Sequence, residues 1–330
     1  MRRNRVIVTA AVAIVLSSSV TACSSGTSST TAGASGGGAV KVAFIQGVIG
    51  DNFYISMECG VRAAAAKLGG VDVTVQGPQK WDPQLQQPIL TSVSATKPGA
   101  ILIAPKDVSA LQRPLEEAAK TSKVVLVDTT IEKPSIAVSE ISSDNVGGGA
   151  AAFDAIKKLV PGGGKVLVID NQPGISTSDD RVKGFKEAVA KDSTFNYVGV
   201  QYAKNEPSRA AQIVTSTLQK YPDLKAIFAT NIYSAEGAAT GIRQAGATGK
   251  VKVVGFDAGP AQVKALQEDT VQAIIAQQPY DIGYQGVQQA VAAIKGQPTK
   301  AKIQTGFTIL TKDNLNTPEG KAALYASKCS

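Results

Sequence analysis

The chain contains no histidine. That absence removes His-dependent triads, histidine general bases and histidine metal ligands, and with them much hydrolytic and metalloenzyme chemistry. Cysteine is scarce as well: Cys23, Cys59 and Cys329 are the only three, and none has a histidine to activate it as a nucleophile. No run of Lys or Arg is long enough to suggest a nucleic-acid groove. The most apolar stretch, Val6 to Leu16, is too short to span a bilayer comfortably. Gly162-Gly163-Gly164-Lys165 looks superficially like a phosphate loop. It precedes its strand, however, and lacks the spacing and the following Ser or Thr, so it reads as a turn. Neither a base–nucleophile pair nor a metal-ligand cluster can be assembled. The chain is therefore expected to be no enzyme, with no catalytic residue, no metal and no cofactor.

What is present begins with an export signal. Residues 1–22 start with Arg2, Arg3 and Arg5, continue through the short apolar stretch and end in small residues, the pattern of a secretory signal peptide. Val20-Thr21-Ala22-Cys23 resembles a bacterial lipobox, whose cysteine is lipidated and becomes the mature N-terminus. The other reading is an ordinary signal peptide with an incidental cysteine. Ser24 to Gly38 is almost wholly Ser, Thr, Gly and Ala. Such a segment buries too little to fold and serves as a flexible tether, so residues 23–38 are read as a lipidated leash. An extracytoplasmic protein held to the cell membrane by lipid follows. Cleavage lowers the formal charge of +8 by three, leaving scattered, solvated charge. Cys59 and Cys329 then remain in an oxidising compartment, either as a disulfide or as two free thiols. Pairing would tie the C-terminal tail to the first helix.

With 330 residues, 43% of them hydrophobic, the chain can build more than one compact unit. From Ala39 short β-branched runs alternate with longer amphipathic ones. Strands are expected at 40–46, 71–77, 99–105 and 123–128. Helices are expected at 53–68, from the Asp82-Pro83 cap through Ala95, and at about 108–120. A polar, glycine-rich break covers Val138–Gly149. The rhythm resumes with helices at 144–159, 177–190, 207–220, 234–245 and from the 251–257 strand through Leu266. Strands at 165–170, 196–203, 224–230, 251–257 and 271–277 alternate with them. This predicts an α/β protein of two doubly wound parallel-sheet lobes. Ligands of such sheets collect outside the carboxyl ends of the strands.

The residues at those ends are mostly carboxylates and amides. Gln46, with Asp51, Phe53 and Tyr54 in the next loop, follows the first strand. Pro105-Lys106-Asp107 and Asp128-Thr129 end later strands of the first lobe. Asp170-Asn171, Thr230-Asn231, Asp257 and Gln277 do so in the second. Two-pronged polar groups suit vicinal hydroxyls, and aromatic faces cover the C–H patches of a sugar or polyol. Asp257 is either such an acceptor or a cap for the helix near Pro260; one side chain can do both.

Six motifs lie in order along the chain: D-N-F-Y-I-S-M at 51–57, I-S-S-D-N-V-G-G at 141–148, R-V-K-G-F at 181–185, F-A-T-N at 228–231, V-V-G-F-D at 253–257 and I-A-Q-Q-P at 275–279. With them the chain resembles the periplasmic sugar-binding proteins of the ribose- and galactose-binding type, the substrate receptors of ABC importers. The resemblance implies a type I periplasmic-binding-protein fold whose lobes join through three hinge crossings, near Ile141–Asp144, Gln277–Pro279 and Lys302–Thr305. It places the N-terminal lobe at 39–142 plus 278–304, the C-terminal lobe at 143–277 plus 305–316, and a tail at 317–330. It implies sugar contacts from Arg181, Asn231, Asp257 and Gln277 on one lobe and from Asp51, Phe53, Tyr54 and Asp128 on the other. It also implies a monomer that closes on its ligand and delivers it to a membrane permease. A sensory receptor on the same clamshell is one rival reading, and an extracytoplasmic enzyme on the same fold is the other.

The chain departs from the ribose-type pattern at three positions. Thr129 stands where an arginine follows the aspartate, Ala104 where an asparagine precedes the proline, and Asn205 where an aromatic faces the sugar. Ribose therefore does not transfer as the ligand. Gln46, Thr129 and Asn205 stay as weaker ligand candidates, with three others. Lys106 either reaches the cleft or is solvated. Trp81 packs on the first lobe or stacks on ligand. Asp107 contacts ligand or caps the helix from Val108.

Overall fold

The computed structural model describes residues 38–329. The expected signal peptide at 1–22, Cys23 and the tether up to residue 37 lie outside the described residues. The strands run β1 (Val40–Ile45), β2 (Val71–Gln76), β3 (Ala100–Ile103), β4 (Lys123–Val127) and β5 (Ser139–Ser143). They continue with β6 (Gly164–Asp170), β7 (Phe195–Tyr202), β8 (Leu224–Ala229), β9 (Lys252–Phe256) and β10 (Ala273–Gln277). Two short ones close the series, β11 (Lys302–Thr305) and β12 (Phe307–Leu310). The helices are α1 (Asn52–Leu68), α2 (Pro83–Ala95), α3 (Gln112–Ala118), α4 (Asn145–Leu159) and α5 (Ser176–Val189). After them come α6 (Pro207–Lys220), α7 (Ile232–Gln244), α8 (Pro260–Gln267), α9 (Pro279–Ile294) and α10 (Pro318–Ala322).

Two six-stranded sheets result, ordered β11-β5-β4-β3-β1-β2 and β12-β10-β9-β8-β6-β7. The two orders match position for position, so each sheet repeats the other. All pairings are parallel except β10 with β12, a departure from the wholly parallel lobes expected. The chain passes between sheets after β5, after β10 and between β11 and β12. Helices cover both faces, which is why the central strands read as continuous apolar runs. Ile45, Leu90, Ile103, Leu115 and Leu126 pack one face of the first sheet. Phe153, Phe185, Phe228 and Phe256 pack one face of the second. The remaining faces join in one cluster that includes Phe44, Met57 and Leu102 together with Ile169, Ile227 and Val253.

Val138–Gly149 is not a bare break. It holds β5, an alternately buried strand with only one large apolar residue, Ile141, and the first turn of α4. Helix α3 starts four residues later than expected, because Asp107 caps a turn instead: its Oδ1 accepts from the Ser109 and Ala110 amides at 2.9 and 2.7 Å. Cys59 and Cys329 form a disulfide, with Cα atoms 5.1 Å apart. Among the described residues no helix is long and apolar enough to cross a membrane.

Candidate ligand-binding site

The carboxyl ends of the two sheets face each other across a cleft with about 480 Å³ of unfilled space, its mouth included. The lobes meet at its rim. The Val108 amide donates to the Gly174 carbonyl at 3.4 Å, and the Thr130 amide donates to Ser176 Oγ at 3.1 Å.

From the first lobe, Asp51 caps α1 by accepting from the Phe53 amide at 2.8 Å. This fixes the loop that brings Phe53 and Tyr54 into the wall. The Tyr54 hydroxyl donates to Asp128 Oδ2 at 2.7 Å. Its ring lies edge-on to Phe53, with centroids 5.2 Å apart, and stacks near Trp81 at 6.4 Å. Asp128 follows β4 with φ 66°.

From the second lobe comes Arg181, 4% exposed and held from several sides. Its Nε donates to Asn145 Oδ1 at 2.9 Å and its NH1 to the Thr230 carbonyl at 2.8 Å. The guanidinium lies over the Phe256 ring, 3.9 Å from the centroid. Helices α4 and α5 approach closely enough to set this arrangement. A Cβ on Gly149 would overlap the Arg181 carbonyl, and one on Gly184 would overlap the Val146 carbonyl. Asp257, after β9 with φ 75°, accepts from Gln277 Nε2 at 2.6 Å and from the Tyr325 hydroxyl at 2.9 Å. It lies 3.9 Å from Arg181 NH1. It does not cap the following helix, whose cap residue is Gly259. Asn231 does cap a helix, accepting from the Ser234 amide at 2.8 Å while donating to Asn205 Oδ1 at 2.6 Å.

Burial raises all three carboxylic acids. Asp51 goes to about 7, with Asp257 adding repulsion while the Phe53 amide and the Tyr233 hydroxyl hold it down. Asp128 goes to about 6, burial being opposed by the Tyr54 hydroxyl and by Arg181. Asp257 is also raised, against the pull of Arg181, Gln277 and Tyr325.

The cleft wall contains Asp51, Phe53, Tyr54, Asp128, Arg181, Asn231, Asp257 and Gln277, and also Trp81 and Asn205. The other four candidates lie elsewhere. Gln46 is buried and donates to Glu58 at 2.9 Å. The Thr129 hydroxyl donates to the Pro105 carbonyl at 2.6 Å. Asp107 caps its turn. Lys106 neither reaches the cleft nor meets solvent. It is fully buried, donates to the Lys80 carbonyl and sits 5.4 Å from the Trp81 ring centroid; burial lowers its pKa to about 7. The wall also holds residues not singled out as ligand candidates from the sequence: Asn171, Ile175, Thr177, Ser178, Ile232 and Tyr233. Asn171 was visible at a strand end. The others sit around the first turns of α5 and α7, where helix N-termini point into the cleft and no residue type gives them away. Tyr325 lies behind the wall, brought there by the tail.

A family model described as a periplasmic binding protein domain matches residues 42–298. The ribose import binding protein of Escherichia coli is 32% identical over 82% of this chain and 90% of its own. A solute-binding protein of an ABC transporter from Agrobacterium vitis, solved with α-D-tagatopyranose, is 38% identical. It superposes with a TM-score of 0.84, covering 87% of this chain and 99% of that one. A carbohydrate-transporter solute-binding protein from Agrobacterium radiobacter, solved with D-arabinose, is 30% identical. Its TM-score is 0.82, over 87% of this chain and 99% of that one. The family model spans most of the chain, and the chain belongs to the periplasmic binding protein domain family.

Proposed function

We propose that the protein is the extracytoplasmic substrate-binding component of an ABC importer, anchored through lipidated Cys23, and that it captures a sugar or polyol between its lobes. One observation carries the reading: side chains from both lobes converge on one cleft that offers fixed hydrogen-bonding groups beside aromatic walls. Asp51, Asp128, Asp257, Asn231, Gln277 and Arg181 bind hydroxyls, while Phe53, Tyr54 and Trp81 cover C–H faces. The lobes are 39–142 plus 278–304 and 143–277 plus 305–316. The ligand first meets one lobe and completes its contacts when the other swings over it. Closure is favoured because the closed state binds the ligand better than the open one. The closed monomer then docks on a membrane permease and releases its cargo without covalent chemistry. Thermal unfolding against a panel of pentoses, hexoses and polyols tests this. A ligand at ~100 times its Kd adds about 2.7 kcal/mol and raises Tm by a few degrees. A panel without any shift overturns the proposal.

A further inference from the structure

The wall of the cleft is unbalanced in charge. Asp51, Asp128 and Asp257 line it, and Arg181 is the only basic side chain among its lining residues. Arg181 lies against Asp257 and is already engaged by Asn145 and Thr230. Among the described residues Asp51 has only the Phe53 amide and the Tyr233 hydroxyl for partners. Lys106, on a neighbouring strand end, donates behind Trp81 instead. Hydrogen-bonding capacity leans the same way at two of the three unpartnered polar atoms in the wall; the third, the Trp81 indole N–H, is a donor without an acceptor. Gln277 is 3% exposed and must turn its amide nitrogen to the Asp257 carboxylate, leaving Oε1 without a donor. Asn171 is 4% exposed, and its Oδ1 likewise has no donor. The site is rich in acceptors and poor in positive charge.

A hydroxyl brings one donor and also an acceptor. An ammonium brings three donors, no acceptor and the missing charge. We infer that the ligand carries a protonated amine beside its hydroxyls, an amino sugar or aminopolyol rather than a neutral sugar, with the ammonium seated at Asp51. The inference rests on the cleft being the ligand site of the proposed function. Burial and the neighbouring carboxylates push Asp51 toward neutrality, and a seated ammonium reverses that push.

Calorimetry of the full chain at pH 7 with matched pairs tests it: D-galactosamine against D-galactose, D-glucosamine against D-glucose, D-mannosamine against D-mannose, and an inosamine against its inositol. The expected result is at least one amine bound ~10-fold or more tightly than its hydroxyl counterpart, equivalent to about 1.4 kcal/mol. Asp51→Asn, which keeps a helix-capping side chain, is expected to bring that ratio toward one. A hydroxyl member bound as tightly as its amine partner overturns the inference and leaves the sugar-binding function standing. An amine preference that survives Asp51→Asn overturns the seat at Asp51. Silence from every pair overturns the inference together with the function it rests on.

Discussion

Asp128 and Asp257 occupy the same place in the two sheets, after strands third from the β11 and β12 edges, and both adopt positive φ. Such backbone costs roughly 1–3 kcal/mol at a non-glycine residue, although aspartate tolerates it better than most. It turns each carboxylate off its strand axis and into the cleft. Asp128→Gly is therefore expected to unfold at higher urea concentration than Asp128→Ala, by about 1 kcal/mol, while both lose ligand affinity. Equal stability of the two would show that the backbone there is unstrained. Asp257→Ala is expected to weaken binding of the sugar identified by the panel about 10- to 150-fold, the worth of one charge-assisted hydrogen bond. Titration calorimetry reads this directly. The raised carboxylic acids also set a pH dependence. Asp51 at about 7 and Asp128 at about 6 hold protons that the unfolded chain releases near 3.8. Across that window the folded state binds more protons, so ligand-free stability falls as pH rises from about 4 and levels off above about 8. Tm measured at pH 5 is expected to exceed that at pH 8, with a smaller difference in Asp51→Asn. The strand-end carboxylates were legible in sequence because an apolar run stops abruptly at each. Lys106 misled because a lysine beside a strand end is normally solvated, and only the packing of Trp81 and Lys80 around it reveals the burial.

At the scale of elements, strong periodicity marked most of the fold and weak periodicity hid the rest. Helix α6 has the expected ends, Pro207 and Lys220, since a proline at the start and an apolar stripe leave little ambiguity. The series read from the sequence stopped at Gln277, short of α9. Strands β5 and β11 escaped because they are five and four residues long with one apolar side chain each, and β12 because its four residues are too few to set a period. Their pairing comes from neighbours in space rather than from their own pattern. Arg181 illustrates how an element delivers a functional group. Gly149, just past the I-S-S-D-N-V-G-G motif, and Gly184 of R-V-K-G-F let α4 and α5 touch backbone to backbone, and this contact sets where the guanidinium sits. Gly184→Ala is expected to cost about 1–3 kcal/mol through overpacking and to weaken ligand binding as Arg181 shifts. Chemical denaturation and calorimetry on one preparation would separate these effects. Lost stability with unchanged affinity would show that Arg181 is positioned by other contacts.

For the whole molecule, the tail matters more than its sequence suggests. Its Tyr325 amide donates to the Ala258 carbonyl at 3.1 Å, and its hydroxyl donates to Asp257, both on the second lobe. Four residues later Cys329 is bonded to Cys59 of α1, while the Ala326 amide donates to Ser56 Oγ at 2.8 Å. The tie to the first helix expected from Cys59 and Cys329 is present, and the tail grips the second lobe as well. Cys329→Ser is expected to lower unfolding free energy by about 2–4 kcal/mol, measured in urea beside the oxidised protein. Unchanged stability would mean that the tail is held by its other contacts. A length limit also follows. Tyr325 to Cys329 spans at most ~14 Å at roughly 3.5 Å per residue. While both ends hold, that is the widest gape the jaws can reach on this side. Any wider yawn pulls the Tyr325 hydroxyl off Asp257, so an opening beyond that span also strips a partner from one of the groups proposed to hold the ligand.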